Sequence, residues 1–131
     1  MLIRINSNFF KNSERCSPSQ IVGPKRFRDV PITIDRIPRV DAVIISHNHY
    51  DHLDYNSVMK LNEKFGNKEL NWFVGAGLGE FFKSCGINKN VHELEWWDIA
   101  THSDSKFSHL KFIFTCAQHW SGRGLLDYCK V

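Results

Sequence analysis

The run Ala42-Val43-Ile44-Ile45 leads directly into Ser46-His47-Asn48-His49-Tyr50-Asp51-His52. Consecutive apolar positions leave no polar face, so Val40 to Ser46 is predicted as a strand buried on both sides, as in a sheet flanked by helices. Three of the seven histidines and an aspartate then fall within a few residues of its exit. Residues two apart in extended backbone share a face, which makes His47 and His49 a ligand pair for one metal ion. Asp51 and His52 are neighbours and converge only if the chain turns out of the strand into a helix, which would aim them at a second metal position nearby. Imidazole and carboxylate without thiolate suit zinc first, with iron and manganese as alternatives. The competing reading is a solvated loop with locally bonded histidines, but catalytic metal sites use this ligand set and surface loops seldom concentrate it.

The chain has 131 residues, enough for one domain or part of a larger one. Hydrophobic residues make up 42% and charged residues 24%, the profile of a folding chain rather than a disordered tail. Unbroken apolar stretches fall far short of the roughly 18 residues that a membrane-spanning helix needs. A formal net charge of +3 is too small to argue for nucleic acid as a partner. Cys16, Cys85, Cys116 and Cys129 form no C-x-x-C pair, and Met1 to Phe10 has no cleavable-leader pattern. They read as reduced thiols of a cytosol-facing protein, which leaves a metal site to His and Asp.

Met1 to Gln20 is mostly polar and is predicted irregular. Pro31 and Pro38 bracket Ile32-Thr33-Ile34, a candidate edge strand. Beyond the histidines, Asp54 or Asn56 can cap a helix carrying Val58, Leu61 and Phe65 on one face, with Gly66 placed to end it. Leu70 to Val74 is a second strand candidate. An amphipathic piece, Leu78 to Lys83, follows and is ended by Cys85-Gly86. Val91 to Leu94 and Leu110 to Thr115 complete the strands, the last with Phe112 and Phe114 on one face and Gln118-His119-Trp120 at its far end. The alternation predicts an α/β (α+β) arrangement with helices packed on sheet. The chain stops at Val131 without a closing helix or further strand, so the expectation is a truncated fold.

The H-x-H-x-D-H pattern at a strand end resembles the signature of metallo-β-lactamase-fold hydrolases. The resemblance extends over Ser17 to His119. Gly23-Pro24-Lys25-Arg26-Phe27-Arg28, the stretch Ile45 to Val58, Leu61 to Asn67 and Gln118-His119-Trp120 are similar to N-acylphosphatidylethanolamine-hydrolysing phospholipases D. This longer match is more specific than the short motif. It implies a partial αββα sandwich with its C-terminal half missing: a divergent or irregular leader over 1–16, then the N-terminal part of the domain over 17–131. It further implies that His47, His49 and His119 hold one zinc and that Asp51 and His52 contribute to a second, with Asp51 and His52 also catalytic. A bridging aspartate and a further histidine of the family have no counterpart here. In the complete site, paired cations would lower the pKa of a shared water and neutralise an attacked phosphodiester. The products implied are phosphatidic acid and an N-acylethanolamine. A phospholipid substrate, peripheral association with the cytosolic face of intracellular membranes and, in the full-length protein, a homodimer are further expectations. With the downstream ligands absent, the isolated chain is expected to be inactive. Rival readings are another hydrolase on this fold (lactonase, thioesterase or ribonuclease) and a fragment that binds metal and catalyses nothing.

His92, His102 and His109 lie outside the motif and are read as structural or exposed. The Lys25-Arg26-Phe27-Arg28 cluster reads as a solvated loop, or as a contact for lipid phosphate. Trp72-Phe73 and Trp96-Trp97 fit either core packing or an acyl-chain groove or lipid interface. Gly75-Ala76-Gly77-Leu78-Gly79 lacks the phosphate-binding fingerprint and an acidic residue on the next strand, and is read as a turn.

Overall fold

Val43 and Ile45 point to one side of their strand, Ala42 and Ile44 to the other, and each side meets a different layer. The computed structural model describes residues 2–4, 21–23, 25, 32–68, 70–101, 110–117 and 119. Within them the strands are β1 (Leu2–Arg4), β2 (Ala42–Ile45), β3 (Asn71–Gly75), β4 (Val91–Leu94), β5 (Ile99–Thr101) and β6 (Lys111–Ile113); the α-helices are α1 (Tyr55–Phe65) and α2 (Gly79–Ser84). β1 to β4 form a sheet in that order with every neighbour parallel. β5 and β6 form a separate antiparallel pair.

Parallel neighbours need crossovers, and here α1 joins β2 to β3 while α2 joins β3 to β4. Both helices cover one face. Val43 and Ile45 of β2 and Trp72 and Val74 of β3 pack there with Val58, Leu61 and Phe65 of α1 and Phe82 of α2 in one buried cluster. Trp72 and Phe82 meet with ring centroids 5.0 Å apart. On the opposite face Ala42, Phe73 and Leu94 are buried beneath Ala100, Phe112 and Phe114, which come from β5, β6 and the residue after it. The chain is thus a mixed α/β structure with a helix layer, a parallel sheet and a second small sheet, as the alternation in the sequence predicts.

Asp54 is the cap of α1: its Oδ2 accepts from the Ser57 backbone N–H at 2.9 Å and from the Ser57 hydroxyl at 2.6 Å. Gly66 follows the helix in right-handed backbone and leads into a 3₁₀ turn at Gly66–Lys68, so its role there does not use the left-handed freedom of glycine. Gly86 does use it, with φ +76° just after α2.

Two sequence expectations are corrected. Ile32-Thr33-Ile34 is not a strand: Ile34–Arg36 forms a 3₁₀ turn. Lys64 of α1 donates to the carbonyls of Ile34, Asp35 and Ile37 at 2.7 to 2.9 Å, and these long-range bonds outweigh the local β preference. Leu2–Arg4, inside the segment expected to be irregular, pairs with β2 as its parallel neighbour. β5 was also not anticipated. Among the described residues no helix is long and apolar enough to cross a membrane.

Candidate metal centre

The cluster is built where β2 runs out. Ile45, its last residue, is fully buried, and the chain continues as irregular backbone through Ser46 to His49. The N–H groups of His52 and Leu53 then both donate to the His49 carbonyl, at 2.8 and 2.7 Å, which closes a turn ahead of the Asp54 cap. Residues 46–54 are therefore held between the buried end of a strand and the capped start of a helix. The turn that Asp51 and His52 needed in order to converge with the histidine pair is present.

His47, His49 and His119 each offer one donor atom, and the three donors lie within 4.8 Å of one another. The ring of His47 is 4.8 Å from that of His49 and 3.9 Å from that of His119; His49 and His119 are 4.7 Å apart. His52 lies beside His47, 4.1 Å ring to ring, and its Nε2 is 3.1 Å from Asp51 Oδ2. All five residues singled out in the sequence thus occupy one neighbourhood. Three of them form the donor triplet, and Asp51 and His52 make a pair beside it.

The state of His47 suits metal ligation. His47 is buried, and its Nε2 has no hydrogen-bond partner among the described residues. Burial chiefly, and then the neighbouring charges of His52, His119 and His49, lower its pKa from 6.5 to about 4, against a smaller opposing pull from Asp51. At neutral pH the ring is therefore uncharged, the form in which imidazole ligates metal. A buried nitrogen without a partner, close to two further imidazoles, fits a metal ion far better than a hydrogen-bonded core.

Other candidate residues fall outside. His92 Nε2 donates to Asn71 Oδ1 at 2.9 Å, and the ring stacks on Phe73, on the β4 side of the sheet. His102, His109 and Arg26 to Arg28 lie outside the described residues, and Lys25 is exposed. Trp72 and Phe73 are buried, which settles them as core, while Trp96 and Trp97 are exposed on the turn between β4 and β5. The glycine segment contains a turn, as expected, yet an acidic residue on the next strand does engage it: Glu93 Oε2 accepts from the Gly77 N–H at 2.6 Å. Among the described residues Cys85 and Cys116 are free thiols.

A parallel sheet backed by helices, with histidines gathered at the exit of an inner strand, fits the metallo-β-lactamase fold. Residues 16–128 match the family described as the beta-lactamase superfamily domain, and the chain belongs to that family. Curated proteins are similar over much the same stretch. The chain is 38% identical over 110 residues to the mitochondrial N-acyl-phosphatidylethanolamine-hydrolyzing phospholipase D of Saccharomyces cerevisiae, covering 83% of this chain and 22% of the relative. It is 34% identical over 122 residues to N-acyl-phosphatidylethanolamine-hydrolyzing phospholipase D 1 of Caenorhabditis elegans, covering 88% of this chain and 33% of that protein. An uncharacterised protein of Mycobacterium tuberculosis is 38% identical over 114 residues, 86% of this chain and 28% of the relative. The chain spans a third or less of the length of these relatives.

Proposed function

We propose that these residues belong to a zinc-dependent phosphodiesterase of the phospholipase D type, which hydrolyses N-acylphosphatidylethanolamine to phosphatidic acid and an N-acylethanolamine. The observation that carries the reading is the triplet of His47, His49 and His119 with a buried, unpartnered His47 Nε2, in a chain whose relatives bear that activity in their names. The donor set is imidazole without thiolate, which suits zinc. His47, His49 and His119 would hold one ion, and Asp51 and His52 would contribute to a second. Zinc bound there would supply Lewis-acid charge beside a phosphodiester and a more acidic water. The protein's own part is to keep His47 dry and neutral and to hold His52 beside it through Asp51. A membrane phospholipid as substrate also supports peripheral work at a lipid surface facing the cytosol.

The test is direct. The 131 residues joined to the remaining length of a curated relative should release N-acylethanolamine from N-acylphosphatidylethanolamine vesicles, with activity removed by chelation and restored by zinc. A folded, zinc-loaded protein that ignores this lipid but cleaves a lactone, thioester or RNA would move the assignment to another hydrolase of the fold. Zinc retained without turnover of any of these would leave a metal-binding domain only.

A further inference from the structure

Ser46 Oγ lies 3.0 Å from His47 Nδ1, the ring nitrogen remote from the unpartnered Nε2. A neutral imidazole has one proton for two nitrogens, so this contact decides what Nε2 can do. With the proton on Nδ1, that N–H donates to the Ser46 oxygen and Nε2 keeps its lone pair. With the proton on Nε2, the Ser46 hydroxyl donates to Nδ1, and a buried N–H is left with nothing described to receive it. Only the first arrangement lets a cation satisfy Nε2.

We propose that Ser46 is a positioning residue: its oxygen accepts the Nδ1 proton of His47, fixes the tautomer and ring orientation, and reserves the Nε2 lone pair for the ion shared with His49 and His119. Its placement suits the task. Ser46 follows the fully buried Ile45, so the backbone carrying the hydroxyl is anchored by the core while the half-buried side chain turns to the neighbouring ring. The proposal rests on the metal-site reading above, and its experiment separates the two.

The experiment compares the 131-residue chain with S46A and S46T. Long-range proton–nitrogen NMR correlations on the metal-free proteins report the His47 tautomer, and zinc titration against a chelating dye reports affinity. The expected result is an Nδ1–H imidazole in the parent chain and in S46T, a mixture in S46A, and zinc affinity lowered about 10 to 100-fold in S46A alone. An unchanged urea midpoint for metal-free S46A would show that the loss is not one of folding. An Nε2–H ring in the parent chain overturns the proposal without any variant. So does S46A with parental tautomer and affinity, or S46T that fails to restore them. A parent chain that shows the Nδ1–H tautomer, loses it in S46A and yet takes up no zinc would support the role of Ser46 while overturning the metal reading.

Discussion

The two faces of the parallel sheet are unequal. Beneath α1 and α2, side chains from two strands, two helices and the 3₁₀ turn close into one continuous buried cluster. Beneath β5 and β6, among the described residues, Ala42, Phe73 and Leu94 are buried, and Ile44, Ala100, Phe112 and Phe114 remain partly exposed. The outer side of that small sheet is more open still, since Ile99 and Ile113 face each other across it with more than half of each exposed. The histidine centre draws on both regions. His47 and His49 follow directly on β2, whereas His119 comes after β6, a strand of the thin side. The pair is therefore built on the firm half of the molecule and completed by the loose half.

Truncations measure the difference most strongly. Phe82→Ala, under the helices, should cost about 3 to 5 kcal/mol of unfolding free energy, and Phe112→Ala, on the thin face, about half as much or less. Equal losses in urea titrations would break the comparison. Next comes the metal. His47→Ala should weaken zinc binding by more than about 100-fold, beyond the usual cost of an outer partner. His92→Ala, on the thin face and away from the cluster, should leave the zinc content of purified protein unchanged.

Acid should act through the firm side. The folded pKa of His47, about 4, lies below its ordinary 6.5, so the fold favours the neutral ring. Stability is then whole above pH 6.5 and falls as the pH drops from 6.5 towards 4, because the unfolded chain takes up the proton first. A loss of about 1 to 3 kcal/mol across that window is expected for the metal-free chain, and His47→Gln should flatten it. A parent chain with a flat profile would show that His47 is not dry. The smallest effect is expected at the outer sheet: Ile113→Thr should shift stability by no more than about 0.5 kcal/mol. A larger change would show that something covers the pair.

What was legible in the sequence is what depends on near neighbours. The apolar run at Ala42 to Ile45, the Asp54 cap three residues before Ser57, and the helical spacing of Val58, Leu61 and Phe65 all report their own surroundings. The histidine pair was legible for the same reason. β1 was not, because three residues form a strand only through a partner some forty positions away. β5 was hidden by its length and by the exposure of Ile99 and Thr101, which leaves no buried alternation to read. The misread segment at Ile32 to Ile34 had sound β chemistry, but the carbonyls that follow are claimed by Lys64 from a distant helix. In the site, the pairing of Ser46 with His47 needed a rotamer as well as a sequence.

The parallel order of the sheet also has a kinetic side. β2, β3 and β4 are successive in the chain and joined by single helices, so they can assemble from nearest neighbours, while β1 must return across the whole span from Leu2 to Ala42. Closing so long a loop costs only slightly more entropy than closing a short one, since the cost grows with the logarithm of length, but such distant contacts are slow to find. If β2 to β4 assemble first, β2 and α1 would present His47 and His49 as a two-donor claw before β5 and β6 dock and His119 joins them. An ion captured at that earlier stage would reward the docking step, so that metal supply and the speed of the last folding event become coupled.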